Sequence, residues 1–128
     1  MTLSAAPNPV AAQPTSPRRH VALCEPDPSL SVLFSEWLSQ AGFDPVAGAS
    51  GHAGDVVLVV ADLRTPRRDG AERVAALRVR APGARVLAIS GHFIASGAAD
   101  AARALGADAA LAKPFSRATF IEAVRALL

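Results

Sequence analysis

Tyrosine is absent from this chain, and cysteine and tryptophan occur once each. The single cysteine, Cys24, excludes an internal disulfide. It lies in an apolar run, where a small buried thiol and a reducing, cytoplasmic compartment are the expectation. Long apolar runs are also missing: no stretch nears the roughly 18 uninterrupted apolar residues that a spanning helix needs, so no membrane insertion is expected. The net charge is only +2, which argues against a globally basic surface. No aromatic side chains are interleaved with the arginines to stack bases, so direct nucleic-acid binding is not expected. Lysine is the most telling scarcity, because Lys113 in "ALAKPF" stands alone against twelve arginines.

What is present suits one compact domain, since 128 residues at 51% hydrophobic and 19% charged can bury a real core. The opening "MTLSAAPNPVAAQPTSPRRH" is rich in proline and small residues, and residues 1–19 read as a disordered tail before a domain over 20–128. Within the domain "HVALC", "DVVLVVADL", "ARVLAIS" and "AALA" are short apolar runs suited to strands buried on both faces, and "FDPVAG" holds a weaker one. Between them lie helical patterns. Asp27 and Pro28 open a helix that carries Leu30, Leu33, Phe34, Trp37, Leu38 and Ala41 inward and stops at Gly42. "GAERVAALRVR" is a helix with Val74, Leu77 and Val79 inward, "AADAARALG" another, and "SRATFIEAVRALL" a last one behind a Ser116 cap.

Strands alternating with helices predict an α/β fold with a doubly wound parallel sheet and right-handed crossovers. Ligands of such sheets bind outside the carboxyl ends of the strands. That rule selects Glu25, Asp27, Asp62, Ser90 and Lys113 without any motif. Neighbouring carboxylates make a hard oxygen site for Mg2+. With Asp62 as nucleophile, the site could take a phosphoryl group as an aspartyl phosphate. Lys113 would then neutralise one phosphoryl oxygen, Ser90 donate to a second and the divalent ion hold the third. A compact ammonium meets a small phosphoryl group differently from a planar guanidinium, which gives a reason for one lysine among arginines.

The acidic turn "CEPDP", the segment "ADLRTPRRDG", "LAISG" and "GADAALAKPF", in this order and spacing, resemble the receiver domain of two-component response regulators over residues 20–128. The resemblance implies a flavodoxin-like five-stranded sheet of order 2-1-3-4-5, with Asp62 as phosphoacceptor, Ser90 as the hydroxyl that senses the phosphoryl group and Lys113 as the family's ammonium. It further implies that the Arg64 carbonyl joins Glu25, Asp27 and Asp62 around Mg2+, and that the Lys113–Pro114 bond is commonly cis. Phosphoryl would come from a sensor histidine kinase, a phosphotransfer protein or a small phosphodonor. The remaining length does not accommodate a DNA-binding unit, so the output is expected to pass through a downstream protein target rather than through an enzymatic activity of the chain.

Three departures qualify the pattern. The family's second acid is replaced by Pro26, and the aromatic three residues before the lysine by Ala110. The stretch between Gly42 and Asp62 is too short for two strands and a full helix, so the second helix is expected to be shortened or missing. The apolar strand surface it would leave is expected to be a protein contact, with a homodimer as one candidate. The arginines at 64, 67 and 68 form a basic loop suited to solvent, to an acidic partner surface or to a phosphate-rich ligand. Two alternatives to the phosphoacceptor reading stay open: a degenerate receiver acting as a phosphorylation-independent scaffold, favoured by Pro26 and Ala110, and a hydrolase using Asp62, for which no general acid stands out.

Overall fold

The computed structural model describes residues 18–48 and 55–128. Five strands, β1 (His20–Cys24), β2 (Asp44–Ala47), β3 (Val56–Asp62), β4 (Arg85–Ser90) and β5 (Ala109–Ala112), form one sheet of order β2-β1-β3-β4-β5. All four pairings are parallel, as the valine-rich, non-alternating strands predict. Four α-helices occur among the described residues: α1 (Pro28–Gln40), α2 (Ala71–Arg80), α3 (Ala98–Leu105) and α4 (Arg117–Leu127). Of the expected tail over 1–19, residues 1–17 lie outside the described residues, as does 49–54, where the second helix is expected to be lost; Arg18 and Arg19 are described and contact the domain, with the Arg18 guanidinium donating to the Ser39 carbonyl and the Arg19 carbonyl accepting from the Asp44 amide, each at 2.9 Å. The connection 48–55 between β2 and β3 is nonetheless shorter than the dozen or more residues a parallel crossover normally takes.

Strand side chains alternate between two differently built layers. On one face Val21, Leu23, Leu58, Val60, Leu87 and Ile89 pack against Phe34 and Leu38 of α1 and Phe120 and Val124 of α4. The other face is made of smaller residues, Ala22, Val59 and Ala61 with Leu77 of α2, then Val86 and Ala88 with Val74 of α2 and Leu105 of α3. Two inward assignments are corrected. Val79 is 80% exposed, because it stands two residues beyond Leu77 and so about 200° around the helix axis from it. Leu33 is likewise exposed, while its neighbour Phe34 takes the core position.

Local chemistry sets the helix limits. The Asp27 Oδ1 accepts from the Ser29 and Leu30 amides at 2.9 and 3.2 Å, with Pro28 in the first turn of α1. Gly42, at φ +97°, turns the chain from α1 toward β2 in a conformation that a side chain would strain. The Ser116 Oγ accepts from the Thr119 amide at 3.1 Å at the head of α4. "PRRDG" is not a plain loop but a single π-helical turn, Pro66–Gly70, leading directly into α2.

Candidate functional site

The carboxyl ends of β1, β3 and β5 bring three charged side chains together. Lys113, just past β5, places its Nζ 2.9 Å from the Asp62 Oδ1 at the end of β3 and 2.7 Å from the Glu25 Oε1 just past β1. Both carboxylate side chains are nearly inaccessible. Burial of the ammonium works against its charge, but the hydrogen bonds and charges of Glu25 and Asp62 outweigh that and hold the Lys113 pKa above its ordinary value.

The turn that carries Lys113 is fixed from two sides. Its amide donates to the Ser90 carbonyl at 3.0 Å, tying the end of β5 to the end of β4. The Lys113–Pro114 bond is cis, and the next residue, Phe115, stacks on Phe34 of α1 and Phe120 of α4 at centroid distances of 5.1 and 5.4 Å. Trp37 joins this aromatic group 6.4 Å from Phe115. An apolar cluster between α1 and α4 therefore supports the polar site above it.

The other residues singled out by the strand-end rule are disposed differently. Ser90 is fully buried, and its Oγ accepts from the His92 amide at 3.0 Å, so its hydroxyl proton is the part left to donate. It meets Lys113 through the backbone. Asp27 is exposed, with its carboxylate serving as the cap of α1, while its own amide donates to the Glu25 Oε2 at 3.1 Å. Glu25 is thus engaged at both oxygens, by Lys113 and by the Asp27 amide. Arg64 is exposed in the loop after β3. Phe93 packs into the second layer beside Leu105, and Ala110 lies there too.

One neighbour was not legible in the sequence. Arg73, in the first turns of α2, donates from its guanidinium to the backbone carbonyl of Asp62 at 3.2 Å. Nothing in the linear pattern marks this arginine among twelve, because only the packing of α2 on the sheet brings it there.

Among the described residues, no three His, Cys, Asp or Glu side chains gather in a cluster that could hold a metal. Mg2+ does not need such a cage, since it is usually held by one or two carboxylates together with waters and phosphate oxygens. Asp62 and Glu25 are donors of that kind and lie on either side of one ammonium. The arrangement is a carboxylate at the carboxyl end of the central strand β3, an ammonium in contact with it and a hydroxyl at the end of the adjoining strand β4. No helix among the described residues is long and apolar enough to cross a membrane.

The family profile for the response regulator receiver domain matches residues 21–125. No curated protein matches the chain. Among solved structures, the chemotaxis protein CheY4 of Vibrio cholerae is 21% identical with a TM-score of 0.69, over 88% of this chain and all of that one. A response regulator from Burkholderia multivorans is 27% identical with a TM-score of 0.60, over 86% of this chain and 94% of that one. A response regulator from Burkholderia pseudomallei, solved with a phosphorylated aspartic acid and a calcium ion, is 20% identical with a TM-score of 0.62, over 84% of this chain and 71% of that one.

Proposed function

Since the chain belongs to the response regulator receiver domain family of two-component signalling proteins, we propose that Asp62 is its phosphoacceptor, with Lys113 and Ser90 stabilising the group in transit. The observation that carries this reading is the 2.9 Å contact between the Lys113 ammonium past β5 and the Asp62 carboxylate at the end of β3, reaching across the end of β4. An Asp62 oxygen attacks phosphorus in a phosphohistidine of a sensor kinase or phosphotransfer protein. The P–N bond breaks, its electron pair stays with the imidazole nitrogen, and an acyl phosphate forms on Asp62. Lys113 neutralises an incoming oxygen, and the Ser90 hydroxyl turns outward from the His92 amide to donate to another. Mg2+, when bound through Asp62, Glu25 and the Arg64 carbonyl, would supply charge neutralisation for the remaining oxygen.

That ion is expected to bind weakly. Pro26 contributes no carboxylate, Asp27 is spent on the helix cap, and both Glu25 oxygens are already shared with Lys113 and the Asp27 amide. The same facts favour a second reading, a degenerate receiver that works as an interaction scaffold without phosphorylation. Ala110 supports it as well, since no aromatic stands there to change position on phosphorylation. In both readings the output passes to a downstream protein.

Intact-mass measurement after incubation with Mg2+ and acetyl phosphate separates them. A phosphoryl adduct that disappears in Asp62→Ala is the expected outcome. No adduct at millimolar Mg2+ would establish the scaffold reading in its place.

A further inference from the structure

In a strand the N–H and C=O of one residue point to the same neighbour, and successive residues alternate between the two sides. The Leu63 amide donates to the Ile89 carbonyl at 2.8 Å, so Leu63 faces β4 and Asp62, one residue earlier, faces β1. On β1 the Arg19 and Leu23 carbonyls accept from the Asp44 and Gly48 amides, so the odd-numbered residues there face β2 and the even-numbered ones face β3. The register of Leu23 with Val60 and Cys24 with Ala61 then places the Cys24 amide opposite the Val60 carbonyl, and the amide position of residue 26 opposite the Asp62 carbonyl. Residue 26 is proline. It has no N–H, so the ladder ends one donor short, on the backbone of Asp62 itself.

Arg73 supplies the missing donor. Its guanidinium reaches from α2 to the Asp62 carbonyl at 3.2 Å, in a partly buried setting where an unsatisfied carbonyl would be costly. It forms no salt bridge among the described residues, so no carboxylate competes for it. Its charge is also felt by the thiol of Cys24, the last residue of β1, which places it at the same gap from the other strand. Asp62 is therefore held at both ends, its carboxylate by Lys113 at 2.9 Å and its backbone by Arg73.

We propose that Arg73 is a positioning residue for the phosphoacceptor, replacing the backbone donor that Pro26 removes. An in-line attack on phosphorus depends on where the carboxylate points, and that direction is set by the backbone it grows from. Pro26 thus costs the site two groups, a carboxylate and an amide, and the chain replaces the second from another element. The effect on rate rests on the phosphoacceptor reading of Asp62, whereas the hydrogen bond does not.

The test is a double-mutant cycle on the full chain with two readouts. In 13C-labelled protein without phosphodonor, the Asp62 carbonyl signal should move in Arg73→Met and return when Pro26→Ala, which restores an amide at position 26, is added. With Mg2+ and acetyl phosphate, followed by intact mass, Arg73→Met should lower the maximal rate of adduct formation about tenfold and leave the half-saturating acetyl phosphate concentration unchanged. Adding Pro26→Ala should bring the rate back to within about twofold, a rescue that loss of surface charge alone would not show. Should Arg73→Met fold poorly, Arg73→Gln serves in its place with the same expectations. An Asp62 carbonyl signal that does not move, or a loss of rate that Pro26→Ala leaves in place, would overturn the proposal. No adduct in the unsubstituted chain would overturn the phosphoacceptor reading instead, and the carbonyl signal alone would then decide whether Arg73 positions Asp62.

Discussion

At the scale of single residues, the structure turns on where each charge finds its counter-charge. Lys113 is raised above its ordinary value, so its contribution to stability is fully present below the unfolded lysine value and is lost as pH rises through the folded one. A denaturation series should therefore show a loss of stability above the ordinary lysine range that is missing in Lys113→Met. The variant should also be destabilised by about 2 kcal/mol at neutral pH, because two buried carboxylates lose their cation. Asp108 is the opposite case at the far end of the sheet. Burial pushes its pKa up, but the Val86 amide at 2.8 Å and the Arg78 and Arg85 guanidiniums together hold it below the usual carboxylate range. Its contribution is present above the unfolded carboxylate value and is lost as pH falls through the folded one. Asp108→Asn should cost about 1.5 kcal/mol and flatten the acid limb of the stability profile, as read by urea titration across pH 2–6. The chemistry of Asp62, Ser90 and Lys113 could be suspected from strand ends alone. The anchoring at Asp108 could not, because its partners come from two other elements, α2 and β4.

At the scale of elements, locally encoded features were legible and tertiary ones were not. The start of α1 is written in two adjacent residues, Asp27 and Pro28, and both do in the structure what their types dictate. Asp27→Ala should lower stability by about 1 kcal/mol, measured by thermal denaturation, and should also loosen Glu25, whose Oε2 takes the Asp27 amide. The strands were legible from their valine and alanine runs, since a buried parallel strand needs nothing beyond apolar residues of the right length. The π-helical turn at Pro66–Gly70 carries no such signature, because its extra residue per turn is set by how the chain leaves β3 and meets α3 at Gly70. Val79 misled for a simpler reason. A β-branched apolar residue near the end of an amphipathic helix looks buried unless its angle from Val74 and Leu77 is counted.

At the scale of the whole molecule, one layer is deep and the other thin. Leucine, isoleucine and aromatic side chains fill the space under α1 and α4, whereas alanines and valines line the side of α2 and α3. On that thinner side Val46 and Cys24 remain only partly buried beside the edge strand β2. Burial holds the Cys24 thiol above its ordinary pKa, with Arg73 and Arg80 opposing, so the apolar setting dominates there. A second copy of the chain is the occupant proposed for this edge. Sedimentation equilibrium should show reversible dimers that are lost in Val46→Lys; a monomer at the highest soluble concentration would refute the contact. The parallel sheet was legible from strands alternating with helices, and its order only through the resemblance to receiver domains. The two unlike layers were not, because strand sequences do not say which helix covers which face.

A last consequence follows from the ammonium clasped between Glu25 and Asp62. It belongs to the only side-chain amine in the polypeptide, so amine-directed chemistry has a single internal target, and that target sits in the pocket proposed to accept the phosphoryl group. Reductive methylation with 13C-formaldehyde would install one isotopic reporter there, silent toward the rest of the surface and sensitive to any anion that draws the amine away from its present partners.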